Sequence, residues 1–251
     1  DLRVFADFLS SDYDISMNTI VTNMTLMRTV CNWVRKQGVT NNDPFFGYDM
    51  PKALYGTPYF LTIQERDQVL DADLTDDAEL AEYRDMFVFQ CMVGCRHSDL
   101  VTFTPKNIID GVLEYIPIKT KGKLGDVVRV PLIPKAMAIL DGHDHGDDEP
   151  IFPKHYNFKF NDAIRRILKR AKVNRVVTVI NPKTRLEEKK PISDVATSHL
   201  ARRTFIGNLY RMVKDPDLVA SMSGHAKGSV AFARYRVIDD DMKKSLVELI
   251  Q

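Results

Sequence analysis

The sequence predicts a mainly helical protein carrying a small antiparallel β-sheet, an α+β fold. Apolar residues recur at three- and four-residue spacing through most of the chain, the mark of helices packed on one face. Only residues 112–118 and 127–130 alternate with β-branched residues, and KTKGKLGD between them has the composition of a hairpin tip. A turn-rich stretch at 38–58, with NNDP, Gly47, Pro51, Gly56 and Pro58, separates a short helical start from the rest.

The start reads as two helices. Leu2, Val4, Phe5, Phe8 and Leu9 share one; Ile20, Met24, Met27, Val30, Cys31 and Val34 share the second. Two helices bury little surface, so this part is expected to be the remainder of a larger helical unit whose earlier helices precede Asp1. Residues 1–50 are assigned to it, 51–58 to a linker and 59–251 to a second domain. There, Thr62 with Glu65 three positions on is a capping box, and a helix runs through Tyr83 to Val93 until Gly94 breaks it. Asp99 and Leu100 begin the next turn, which leaves Arg96 at a junction. Further helices are expected at about 134–140, 157–171, 198–213, 216–221, 230–235 and 240–250.

Composition narrows the function. No apolar stretch approaches the roughly 20 residues of a membrane span, and the start DLRVFADFLS lacks a basic segment followed by an apolar signal core. Three cysteines, Cys31, Cys91 and Cys95, do not make a disulfide framework, so a cytoplasmic location is expected. Cys91 and Cys95 lack further zinc ligands and read as buried small hydrophobes, while His143 and His145 with their aspartates read as a solvated loop. The net charge of +1 hides a division along the chain. Residues 154–190 are strongly basic and could track a phosphate backbone or form a solvated helix face, whereas 65–85 and 141–149 are acidic and are expected to face away from such a partner. No glycine-rich phosphate loop is present, so nucleotide hydrolysis is not supported and no cofactor is expected.

The chemistry concentrates in TSHLARRTFIGNLY and MSGHAKGSVAFARY. His199 and Arg202 lie three positions apart, close to one helical turn, so both can reach one phosphate; Arg203 points elsewhere by about 100 degrees. Arg96 in GCRHSDL offers a second guanidinium fork, and two forks around phosphorus stabilise charge spreading over its equatorial oxygens. His225, after Gly224, can donate to a phosphate oxygen. Tyr235 supplies a phenol, a poor nucleophile at its usual pKa near 10 unless neighbouring cations or a base act on its proton. A leaving 5′ oxygen needs a proton too, and Lys119, Lys121 and Lys123 of the hairpin compete for that role.

GCRHSDL, a hairpin lysine, HLARR, GH and a tyrosine ten residues after that histidine together resemble the tyrosine recombinase (phage integrase) family from Thr57 to Gln251. The resemblance implies Arg96, Lys119, His199, Arg202 and His225 around the scissile phosphate of double-stranded DNA, with Tyr235 as nucleophile. A hairpin of the family in which the lysine precedes a threonine favours Lys119 in IKTKG over Lys121. The first two helices are similar to the end of the family's helical core-binding domain, which clamps the other face of DNA. SHLARRTF and MSGHAKGSVAFARY resemble most closely the integrases of Bacteroidetes mobile elements. Implied with this are a site-specific DNA strand-exchange enzyme without metal or nucleotide, and a monomer that becomes a homo-tetramer on paired DNA sites through an amphipathic C-terminal helix. The enzyme would be cytoplasmic and associated with the nucleoid. A type IB topoisomerase-like enzyme and a catalytically decayed DNA-binding module are the alternatives.

Overall fold

A computed structural model describes residues 2–11, 13, 15–120, 127–143, 146–154, 157–213, 215–225 and 247. It is mainly helical with a small antiparallel sheet, as the hydrophobic periodicity predicts. The hairpin tip at 121–126 and the helices expected at 230–235 and 240–250 lie outside the described residues, apart from Val247. No helix among the described residues is long and apolar enough to cross a membrane.

The chain forms two compact units, Asp1–Gly56 with Thr178–Lys189, and Thr57–Val177 with Lys190–Gln251. In the first, α1 (Leu2–Ser11) and α2 (Met17–Lys36) enclose a small core in which Ile20, Met24 and Phe45 are buried. Ser16 caps α2 by accepting the Thr19 amide at 3.3 Å. The excursion Thr178–Lys189 joins this unit because Pro182 accepts the Met17 amide at 3.3 Å and the Arg185 guanidinium donates to the Lys52 carbonyl at 3.1 Å.

In the second unit, α3 (Ile63–Leu70) begins at the predicted capping box, with both reciprocal bonds made. Next comes α4 (Ala78–Val93), whose residues from Met86 to Val93 are all buried; a helix apolar on every side belongs at the centre of a domain. After α5 (His97–Leu100), the strands β1 (Ile108–Ile109), β2 (Val112–Tyr115) and β3 (Val128–Pro131) pair antiparallel in that order, with Leu113 opposite Val130 and Tyr115 opposite Val128. The first contributes a pairing of only two residues, too short for a periodicity argument to find.

The chain continues through α6 (Pro134–Asp141) and α7 (Asn157–Arg170), then β4 (Val176–Ile180) and β5 (Glu187–Pro191), which form a separate two-stranded sheet. Three helices complete the described chain: α8 (Ile192–Val195), α9 (Ser198–Val213) and α10 (Pro216–Ser223). The core lies where α4 meets α7 and α9, around Phe87, Phe89, Phe152, Phe160 and Ile164.

The basic run is not an unbroken cationic stripe. Arg166 pairs with Asp77 at 2.7 Å, Arg170 with Asp76, Lys169 with Asp194 at 2.8 Å and Arg175 with Glu65 at 2.6 Å. Much of α7's charge is therefore turned onto the acidic segment that flanks α3 and α4, because residues remote in sequence neutralise one another across the packed helices. His143 likewise leaves the solvated loop expected for it: its ring sits edge-on to Phe152 at 5.0 Å and its Nε2 lies 3.6 Å from Asp85.

Candidate active site

Gly94 ends α4 in the left-handed region, at φ 68° and ψ 11°, and its amide donates to the Gln90 carbonyl at 2.9 Å. A Cβ there would lie 2.2 Å from Cδ1 of Phe205 on α9, so the absent side chain is also what lets the two helices approach. The turn that follows is held at two successive carbonyls. Arg202 donates from Nη1 to the Gly94 oxygen at 2.8 Å, and Gln90 donates from Nε2 to the Cys95 oxygen at 3.0 Å. Arg96 comes next, in extended backbone at the start of α5. One guanidinium is thus tied to the turn that presents the other.

His199 and Arg202 sit one turn apart on α9, and they share a cavity of about 340 Å³ with Arg96, Gln90 and Ser198. Arg202 is 3 % exposed. Nη1 of Arg96 is buried and has no hydrogen-bond partner among the described residues, a donor that lacks an acceptor. Such an arrangement has the character of an anion cradle. Arg203 points away, with its guanidinium over the Tyr59 ring at 5.1 Å. His199 is exposed, yet loss of hydration, followed by the positive charges of Arg203, Arg202, Arg96 and Lys119, depresses its pKa.

His225 follows Gly224, which closes α10 in the left-handed conformation. Its ring nitrogens Nδ1 and Nε2 lie 2.9 and 3.1 Å from Arg202 Nη2, and Ser223 Oγ lies 2.9 Å from Nδ1. Burial first, then the Arg202 and Arg96 guanidiniums, push its pKa down to about 3. The imidazole is therefore neutral at pH 7 and can receive an N–H from Arg202. Because the unfolded chain binds this proton near pH 6.5 and the folded one does not, folding loses stability as pH falls from 6.5 toward about 3. In chemical denaturation across that window, wild type is expected to lose more stability than His225→Gln; parallel losses would contradict the assignment.

Lys119 is exposed in the 3₁₀ turn Ile118–Thr120 that follows β2. The preceding backbone is fixed from below: the Ile118 amide donates to Oδ1 of Asp99 at 2.9 Å, and that carboxylate is 1 % exposed. The positive charge of Lys119 contributes to the lowered pKa of His199. Arg96, His199 and Arg202 are thus gathered on one cavity, His225 is bonded to Arg202, and Lys119 lies within electrostatic reach. Tyr235, Lys121 and Lys123 lie outside the described residues.

Sequence reasoning missed two positioning groups: the Gly94 carbonyl, treated there only as a helix break, and the Asp99 carboxylate. An acid three residues after Arg96, beside apolar Leu100, was the available signal for the second. Cys91 and Cys95 are buried free thiols, as expected.

The profile of the phage integrase family matches residues 59–242. Among solved structures, the Tn1549 transposon integrase in complex with a circular intermediate DNA is similar at a TM-score of 0.71 and 15% identity, covering 100% of this chain and 84% of that one. A lambda integrase dimer bound to a COC′ core site gives 0.63 at 15% identity, with 95% and 78% covered. XerH site-specific recombinase bound to difH gives 0.61 at 17% identity, with 100% and 71% covered. At these identities the likeness is one of fold. No curated protein matches the chain.

Proposed function

The chain belongs to the phage integrase family, the tyrosine site-specific recombinases, and from that premise we propose that it cleaves and rejoins double-stranded DNA through a 3′-phosphotyrosyl intermediate on Tyr235, serving the integration or excision of a mobile element. The observation that supports this most is the cavity shared by Arg96 and Arg202, with the buried Nη1 of Arg96 lacking an acceptor among the described residues. A phosphodiester carries two non-bridging oxygens, and two guanidiniums can each take one while charge grows on both in the transition state.

In this mechanism Oη of Tyr235 attacks phosphorus in line with the 5′ oxygen. The phenol gives its proton to solvent water as the P–O bond to tyrosine forms, and the P–O5′ bond breaks as Nζ of Lys119 gives the leaving oxygen its proton. His199 supports the non-bridging oxygens from the exposed side of α9. Neutral His225 supports Arg202 and directs its guanidinium into the cradle. A partner strand's 5′ hydroxyl then attacks the phosphotyrosyl bond by the reverse path, and the bond energy stored in the intermediate makes rejoining independent of an external source. Residues 1–50 would clamp the other face of the duplex with 51–58 as the linker, and four protomers would assemble on paired sites from a monomer off DNA.

A nicked suicide duplex tests this. Wild type is expected to give a denaturant-resistant protein–DNA adduct, and Tyr235→Phe to give none while binding the duplex with wild-type affinity. An adduct that survives Tyr235→Phe would exclude the nucleophile.

A further inference from the structure

Behind the arm that carries Lys119 lies a second cavity, of about 310 Å³, walled by Asp99, Thr102, Asn107, Tyr115 and Ile118 among others. Most of its polar groups are occupied. Asn107 donates to the Glu114 carbonyl at 3.0 Å and accepts the Thr104 amide at 3.0 Å, while the Thr102 hydroxyl donates to the Asp99 carbonyl at 2.7 Å. Two buried atoms are not: Oδ2 of Asp99 and the Tyr115 hydroxyl have no hydrogen-bond partner among the described residues. Their residues are 1 % and 6 % exposed. A buried carboxylate oxygen and a buried phenol are each destabilising when left without a hydrogen-bond partner. The cavity far exceeds the roughly 10–15 Å³ that a water needs, and it offers an acceptor and a donor.

We propose that ordered water in this cavity joins the Tyr115 hydroxyl to Oδ2 of Asp99, and that Tyr115 is thereby a positioning residue for Lys119. The inference rests on the reading of Lys119 as the proton donor to the leaving oxygen. The route is short. Tyr115 closes β2 four residues before Lys119, its ring packed on Phe103 at a centroid distance of 4.9 Å. Asp99 spends its other oxygen on the Ile118 amide, immediately before the lysine. A water held by the phenol fixes the carboxylate plane, the carboxylate fixes the Ile118 amide, and the start of the 3₁₀ turn that carries the lysine is held in place. Burial keeps the phenol protonated, so it remains a donor across the working pH range.

The test compares wild type, Tyr115→Phe and Lys119→Ala on a nicked duplex with the natural 5′ oxygen and on one in which sulfur replaces it. A thiolate departs without needing a proton, so the sulfur substrate removes the demand on the lysine. Tyr115→Phe is expected to cleave the natural duplex roughly 10-fold more slowly, part of the 10²–10⁴-fold that a general acid contributes, and to cleave the sulfur duplex at about the wild-type rate. Equal losses on both substrates would overturn the proposal, and so would an unchanged rate on the natural one. Lys119→Ala separates the two levels of the argument: recovery on sulfur with no Tyr115→Phe effect would overturn only the positioning role, whereas Lys119→Ala without recovery would sink the proton-donor reading and this inference with it.

Discussion

Arg96→Ala is expected to slow strand cleavage by about 10²–10³-fold, the loss typical of removing one preorganised donor from an oxyanion site, while DNA affinity stays close to that of wild type. Arg96 is the cleaner probe of the two guanidiniums. Arg202 also holds the Gly94 carbonyl and contacts His225, so its removal unmakes the turn as well as the cradle. Arg96 Nη1 has no such duty among the described residues. Arg96→Lys is expected to recover little, because an ammonium is a point charge that cannot present two parallel N–H groups to a phosphate. Single-turnover cleavage and a binding titration on the same duplex check the pair. A ten-fold loss of affinity with an unchanged cleavage rate would move Arg96 from the reacting phosphate to the DNA backbone.

Gly94→Ala is expected to be the most damaging single-methyl change in the described fold. The left-handed φ of 68° costs an alanine about 1–2 kcal/mol. The new Cβ, 2.2 Å from a ring carbon of Phe205, adds an overpacking cost of typically 1–3 kcal/mol. Together these predict a fall in the Tm of the second unit on the order of 10 °C. Cleavage should fall further than stability alone explains, since the moved carbonyl releases Arg202. Adding Phe205→Ala removes the clash but not the φ strain, so the double variant should lose less than the two single losses added together. Calorimetry on the four proteins reads this directly, and a wild-type Tm for Gly94→Ala would contradict the packing described here.

The elements with strong local signatures were legible in the sequence. The capping box at Thr62 and Glu65 and the helix Ser198–Val213 are found where periodicity and caps place them. So is the α4 break at Gly94, because these features depend on neighbours within a turn or two. β4 and β5 were not read, although Val176–Ile180 is rich in β-branched residues and Asn181 with Pro182 marks a turn; the basic charge of the segment drew attention to a partner instead. The charges themselves left two readings open for a physical reason. A run of cations says nothing about where the anions lie after folding, and α7 finds Asp77 and Asp76 beside it at the surface. Within the candidate site, one helical turn between His199 and Arg202 was readable. The bond from Arg202 to the Gly94 carbonyl spans 108 residues and belongs to tertiary packing alone.

A crystal structure of the protein with a duplex trapped before cleavage tests the central claim most directly. Arg96 Nη1 and the Arg202 guanidinium should lie about 3 Å from the non-bridging oxygens of a single phosphate, with His199 beside them and Tyr235 Oη opposite the 5′ oxygen. Guanidiniums bound to two different phosphates, or a cavity that admits none, would contradict it.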